Sequence, residues 1–166
     1  MKLLKNLTVA ALTAIATITP AMARVEEGTA DLLTTLASNG IQITYNENCD
    51  GNYHGQYRFI GMKRVMRLCP GETVDAIDHT TVRHEAIHAI QHCVNVARGT
   101  DQFTPVMKME TLVQLVNEHL SVDTVDFVKT HYEPDHWAVE LEANLMAEIA
   151  TATDIIELFN EACVGG

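Results

Sequence analysis

His84-Glu85-Ala86-Ile87-His88 sets two histidines four residues apart, with a glutamate directly after the first. On an α-helix, residues i and i+4 stand one above the other on the same face. Two neutral imidazoles so placed can share one Zn²⁺ ion. Glu85 then lies beside the remaining coordination position, where it can take a proton from water. His84 and His88 are therefore candidate metal ligands, and Glu85 is the candidate general base. Zinc in a catalytic site usually takes three protein ligands, so a third must come from elsewhere. A histidine six residues after the second is one solution, but position 94 is valine and position 91 glutamine. His92 stands two turns beyond His84, about 12 Å along the axis, too far to share the ion on a straight helix. It is expected at the surface or in a structural hydrogen bond. Cys93 falls on another side of the helix and is no ligand.

The other source of a third ligand is a carboxylate on a later helix. The segment 137–144 offers Glu140 and Glu142. Glu140 and Asn144 are spaced i, i+4 and share a face, whereas Glu142 is turned about 200° from Glu140. Glu140 is thus the expected ligand. Asn144 is expected to accept the spare ring N–H of His84 or His88 and so fix that ring's orientation. His136, one turn before Glu140, and Tyr132 and His131, just ahead of the helix, are candidates to donate a hydrogen bond to an oxyanion. Each has an ordinary reading too, as a solvated loop residue.

H-E-x-x-H followed at a distance by E-x-x-A-N, here Glu140, Ala143 and Asn144, resembles the gluzincin metallopeptidases. Within them it is similar to the pattern of the ImmA/IrrE-like proteases. The resemblance covers two helices. It implies His84, His88 and Glu140 as zinc ligands, Glu85 as the base, and a peptide or protein as substrate. The rival expectation is a non-catalytic zinc-binding or interaction protein, its site closed by a fourth ligand, with His136 the obvious one.

What must position these residues is one domain's worth of chain, 166 residues. Residues 1–23 are read apart from it as a signal peptide. Lys2 and Lys5 precede an uncharged apolar run, and Ala21-Met22-Ala23 forms a cleavage site. The expected mature domain is then 24–166, secreted or periplasmic, with no stable membrane insertion once the signal is cleaved. The formal net charge of −11 repels phosphates and anionic membrane surfaces, so nucleic acid is excluded as a partner. Four cysteines in an exported chain favour disulfides. The expected pairs are Cys49–Cys69, stapling a local β segment, and Cys93–Cys163, tying the metal helix to the last helix.

The expected fold class is α+β, a small antiparallel sheet of about three strands followed by a helical metal-binding region. A first helix runs from Glu26 to Ser38 and ends at Asn39-Gly40. Alternation gives strands at 41–45, 56–60 and 64–68, the last expected to be an exposed edge that could pair with an extended peptide. Asp75 or Asp78 caps the metal helix, which runs to about Ala97 with Gly99 beyond it. Thr104-Pro105 is expected to open the next helix, to Leu120, and Ser121 a short one to about Lys129. Glu133-Pro134-Asp135 precedes a helix through Ile149. Thr153 or Asp154 then caps a last helix, to Cys163.

Overall fold

The computed structural model describes residues 28–46, 54–69, 78–100 and 103–165. The chain is α+β, as expected, with six helices and three strands among these residues. Helix α1 (Thr29–Ser38) precedes β1 (Ile41–Tyr45), β2 (Gly55–Ile60) and β3 (Lys63–Leu68). Helices α2 (His79–Ala97), α3 (Met109–His119), α4 (Val122–His131), α5 (Trp137–Ile149) and α6 (Ala152–Cys163) follow. None of the helices in the described residues is long and apolar enough to cross a membrane. The expected signal peptide 1–23, the start of the first helix at Glu26, and Cys49 lie outside the described residues.

The sheet is mixed, not wholly antiparallel. Its order is β1-β3-β2. β2 and β3 form the expected hairpin, with Ile60 opposite Lys63. Gly61 (φ 53°) and Met62 (φ 73°) make its two-residue turn. Both central residues in the left-handed region match the turn whose twist suits a hairpin. β1 lies parallel to β3 on its other side, Ile41 opposite Arg64. The strand expected to be a free edge, 64–68, is therefore the central one and is paired on both sides. β2 is an edge, and with β3 it meets α2.

Helix α2 is the axis of the domain. The Asp78 side chain caps it, accepting from Thr80 N at 3.0 Å. Val82, Ala86, Ala89 and Ile90 recur on its buried side. Sheet residues Ile41, Tyr57, Met66 and Leu68 join them in one core with Leu32 and Leu36 of α1 and with Ile155 and Phe159 of α6. Each such side chain, fully buried, contributes about 1.5–3 kcal/mol. Cys93 of α2 and Cys163 of α6 form the expected disulfide, across 70 residues of sequence. Cys69 is disulfide-bonded as well, while its expected partner Cys49 is outside the described residues. Arg83, buried on α2, donates from Nε to the Ala147 carbonyl at 2.9 Å. Burial lowers its pKa, and Asp78 and Glu148 offset part of that. The bond places a cation at the carbonyl end of α5 and holds that helix against α2.

A second, smaller core joins Leu112 and Val116 of α3 to Leu145 of α5. Helix α3 starts at Met109, not at Thr104. The Thr104 hydroxyl is used elsewhere, donating to Asn95 Oδ1 at 2.6 Å. Ser121 caps α4 as expected, accepting from Thr124 N at 3.1 Å. Helix α6 is capped by Thr151, two or three residues before the expected Thr153 or Asp154. Thr151 and Asp154 exchange bonds with each other's backbone N–H.

Candidate functional site

His84 and His88 sit on the face of α2 that packs on α5, and Glu140 projects from the first turn of α5. The Nε2 atoms of His84 and His88 are 3.0 Å apart. Glu140 Oε2 lies 3.4 Å from His84 Nε2, and Glu140 Oε1 lies 3.5 Å from His88 Nε2. Ligand atoms around a tetrahedral zinc, with bonds of about 2.0–2.1 Å, stand about 3.3 Å from one another. These spacings are close to that. The three residues expected as ligands are thus brought together, from two helices, as a group that could hold a metal ion.

One atom tests the fit. Glu140 Oε2 is buried and, among the described residues, makes no hydrogen bond of ordinary geometry, its contact with His84 Nε2 being 3.4 Å. A buried carboxylate oxygen without a donor costs free energy, and a cation among these three groups would supply what it lacks. The protons of the site are arranged consistently with this. Burial alone would raise the Glu140 carboxyl, but the two imidazoles outweigh it and hold it down at about 2. Burial would lower His88, but Glu140 beside it, with Glu85, raises it to about 9.

Glu85 is 5 % exposed. One of its oxygens accepts from Tyr57 N of β2 at 2.6 Å. Burial raises its pKa, and His88 and His84 pull it back only in part. Gly55 explains how the strand comes so near. A Cβ there would stand 2.5 Å from Thr81 Cγ2 and 2.9 Å from Glu85 Cγ. Only glycine lets β2 lie against α2 at this point. A cleft of about 200 Å³ opens here, lined by His54, Gly55, His84, Glu85, Phe127 and Tyr132 among others.

Of the three donor candidates, Tyr132 lines this cleft. Burial, with Glu140 and Glu85 nearby, raises its phenol to about 12. His131 instead stacks on Phe127, 4.1 Å between ring centroids, and bonds the Phe127 carbonyl. His136 is the residue before α5, exposed, and is not part of the metal-ligand group. His92 makes the structural bond foreseen as one of its two options, with Nδ1 2.8 Å from the Tyr57 hydroxyl.

Asn144 corrects an expectation. Its side chain donates to the Glu140 backbone carbonyl, one turn back on its own helix, at 2.9 Å. The His88 Nδ1 is held by Gln91 Oε1 instead, at 2.8 Å. Nothing in the spacing of Asn144 was misjudged. The amide on α2 itself, at i+3 from His88, is nearer. The roles of Gln91 and Gly55 went unforeseen, because each depends on what other elements bring to it.

No family model matches the chain, and no curated protein or solved structure matches it either.

Proposed function

We propose that the chain is a small secreted or periplasmic zinc-dependent peptidase of gluzincin type. The observation that carries the proposal is the convergence of His84, His88 and Glu140 beside a cleft that His84, Glu85 and Tyr132 line. His84, His88 and Glu140 would hold Zn²⁺. Bound there, zinc supplies a Lewis acid for the scissile carbonyl and lowers the pKa of water. Glu85 takes the proton of the attacking water and delivers it to the leaving amine. Its raised pKa suits that task, since a base poised nearer neutrality also serves as an acid in the second half of the reaction. Tyr132 stays protonated far above neutral pH and can donate to the oxyanion of the attacked carbonyl. The substrate is a peptide or protein segment. β2, not β3, is the strand beside the cleft against which an extended chain would lie.

Two features support catalysis over a closed, purely structural metal site. The open cleft reaches His84 and Glu85. The residue best suited to close it, His136, is absent from the ligand group.

The deciding experiment is metal analysis and peptide hydrolysis on the wild type and on Glu85→Gln. One zinc per chain in both, with hydrolysis in the wild type alone, is the expected result. A wild-type protein purified without metal that takes up none on titration would overturn the proposal. So would hydrolysis that survives Glu85→Gln undiminished.

A further inference from the structure

The geometry points to Glu142 and Gln91 as a buried relay that positions the metal ligand His88, fixing which of its nitrogens carries the proton. This rests on the metal-site reading above and adds to it two residues that touch neither metal nor substrate.

Gln91 is fully buried, and Glu142 is 2 % exposed. The Gln91 side-chain nitrogen donates to Glu142 Oε2 at 2.8 Å and to the Val139 carbonyl at 3.1 Å. Both partners only accept, so this end of the amide must be the NH₂. The other end is then the carbonyl oxygen, 2.8 Å from His88 Nδ1. A carbonyl only accepts, so Nδ1 must carry a proton. In a neutral His88 that leaves Nε2 with the lone pair, on the side where His84 and Glu140 converge. Two acceptors set the amide, and the amide sets the ring.

Glu142 is fixed from its far side. Its Oε2 accepts from Val106 N at 2.8 Å, and its Oε1 from Met107 N at 2.6 Å. Three N–H donors thus hold a buried carboxylate in one orientation. The carboxylate that rivals Glu140 by sequence, turned about 200° away from it around the helix, finds its use there. The same helix presents one carboxylate to the ion and one to the support of a histidine. Outer partners of this kind orient a ligand and raise its basicity, and losing one typically weakens metal binding on the order of 10–100-fold.

Zinc affinity, measured by competition with a chromophoric chelator, tests the relay in three variants. Gln91→Met removes the acceptor for His88 Nδ1 at similar volume. Glu142→Gln turns an amide of undefined orientation toward Gln91. Each is expected to weaken zinc binding on the order of 10–100-fold. The double variant Gln91→Glu with Glu142→Gln restores an acceptor for His88, but it sets the new amide at 142 against a backbone N–H and the new carboxylate at 91 against the Val139 carbonyl, so it is expected to recover only part of the loss. Melting in a chelator shows which variants fold. Independently of any variant, long-range proton–nitrogen NMR on the zinc-loaded wild type should find His88 protonated at Nδ1 and metal-bound through Nε2. Metal on Nδ1, or folded single variants that bind zinc as tightly as the wild type, would overturn the relay. A wild type that binds no zinc would instead overturn the metal-site reading itself.

Discussion

Gly55→Ala is the sharpest single perturbation of the site that leaves all its chemical groups in place. The backbone of Gly55 is not in the left-handed region, so alanine meets no conformational penalty there. The whole effect is steric. The new methyl would stand 2.5 Å from Thr81 Cγ2, 2.9 Å from Glu85 Cγ and 3.1 Å from Glu85 Oε1. Carbon atoms in good contact lie about 3.5–4.0 Å apart, so β2 must retreat from α2 by about 1 Å. Overpacking of this sort costs about 1–3 kcal/mol. The retreat also stretches the 2.6 Å bond from Tyr57 N to Glu85, and a hydrogen bond to a charged group contributes about 1.5–3 kcal/mol. The two losses overlap, so the expected destabilisation is about 2–4 kcal/mol. In a domain of this size that lowers Tm by roughly 5–15 °C. Thermal and urea denaturation of the metal-free protein would measure it. Adding Thr81→Ser removes the closest atom while keeping the hydroxyl that bonds Asp78, and should restore part of the loss. A Gly55→Ala protein that melts within about 1 °C of the wild type would refute the close approach of strand and helix, and with it the positioning of Glu85.

Other outcomes follow from the same structure. In the metal-free protein His88 is raised from 6.5 to about 9, so its contribution to stability is full below pH 6.5 and lost as pH rises through 9. Glu140 is lowered from 4.5 to about 2, so its contribution is full above pH 4.5 and lost as pH falls toward 2. Urea titrations in a chelator should therefore show these two groups' support greatest between pH 4.5 and 6.5, and Glu140→Gln should flatten the acid side of that profile. Replacing Cys93 and Cys163 together by alanine should cost about 4 kcal/mol in the chain-entropy picture of a 70-residue loop, readable as a shift in the urea midpoint; a midpoint unchanged from the wild type would mean the bridge is not formed. Met62 is 88 % exposed with φ 73°, so Met62→Asn, a residue that tolerates this backbone, should stabilise by about 0.5–1 kcal/mol; a lower urea midpoint would count against the turn.

The parts legible in the sequence were those set by neighbours along the chain. Helix α2 announced itself by a cap, at Asp75 or Asp78, and its buried spacing, and the two histidines followed from it. Glu140 was preferred to Glu142 because Asn144 shares its face, and Glu140 is the one that joins the histidines although Asn144 bonds elsewhere. The pairing of β1 with β3 was not legible, because parallel strands need no turn between them and leave no local signal; a hairpin does, and Gly61 marked it. The start of α3 was misplaced for a related reason. Thr104-Pro105 has the composition of a helix start, but Asn95 takes the threonine hydroxyl and Glu142, distant in sequence, takes the N–H groups of Val106 and Met107. Asn144 was assigned to a histidine on face sharing, which says where a side chain points and not which partner wins. Gln91 wins through two acceptors that only the folded chain assembles.

The two walls of the cleft are anchored unequally. His84 and Glu85 stand on α2, which is packed by α1, α5, α6 and the sheet and tied to α6 by a disulfide. Phe127 and Tyr132 stand on and just after α4, which buries only Val128 and, like α3, packs on α5 alone among the described elements. Opening free energies within a protein range from near zero up to that of global unfolding, and they track such differences in buried contact. The α2 wall should then exchange its amide hydrogens only with the whole domain. The facing wall should do so through smaller, more frequent excursions of α3 and α4 about α5. A cleft of about 200 Å³ would admit the proposed peptide substrate by breathing on one side, while the residues proposed as ligands on the other side keep their places.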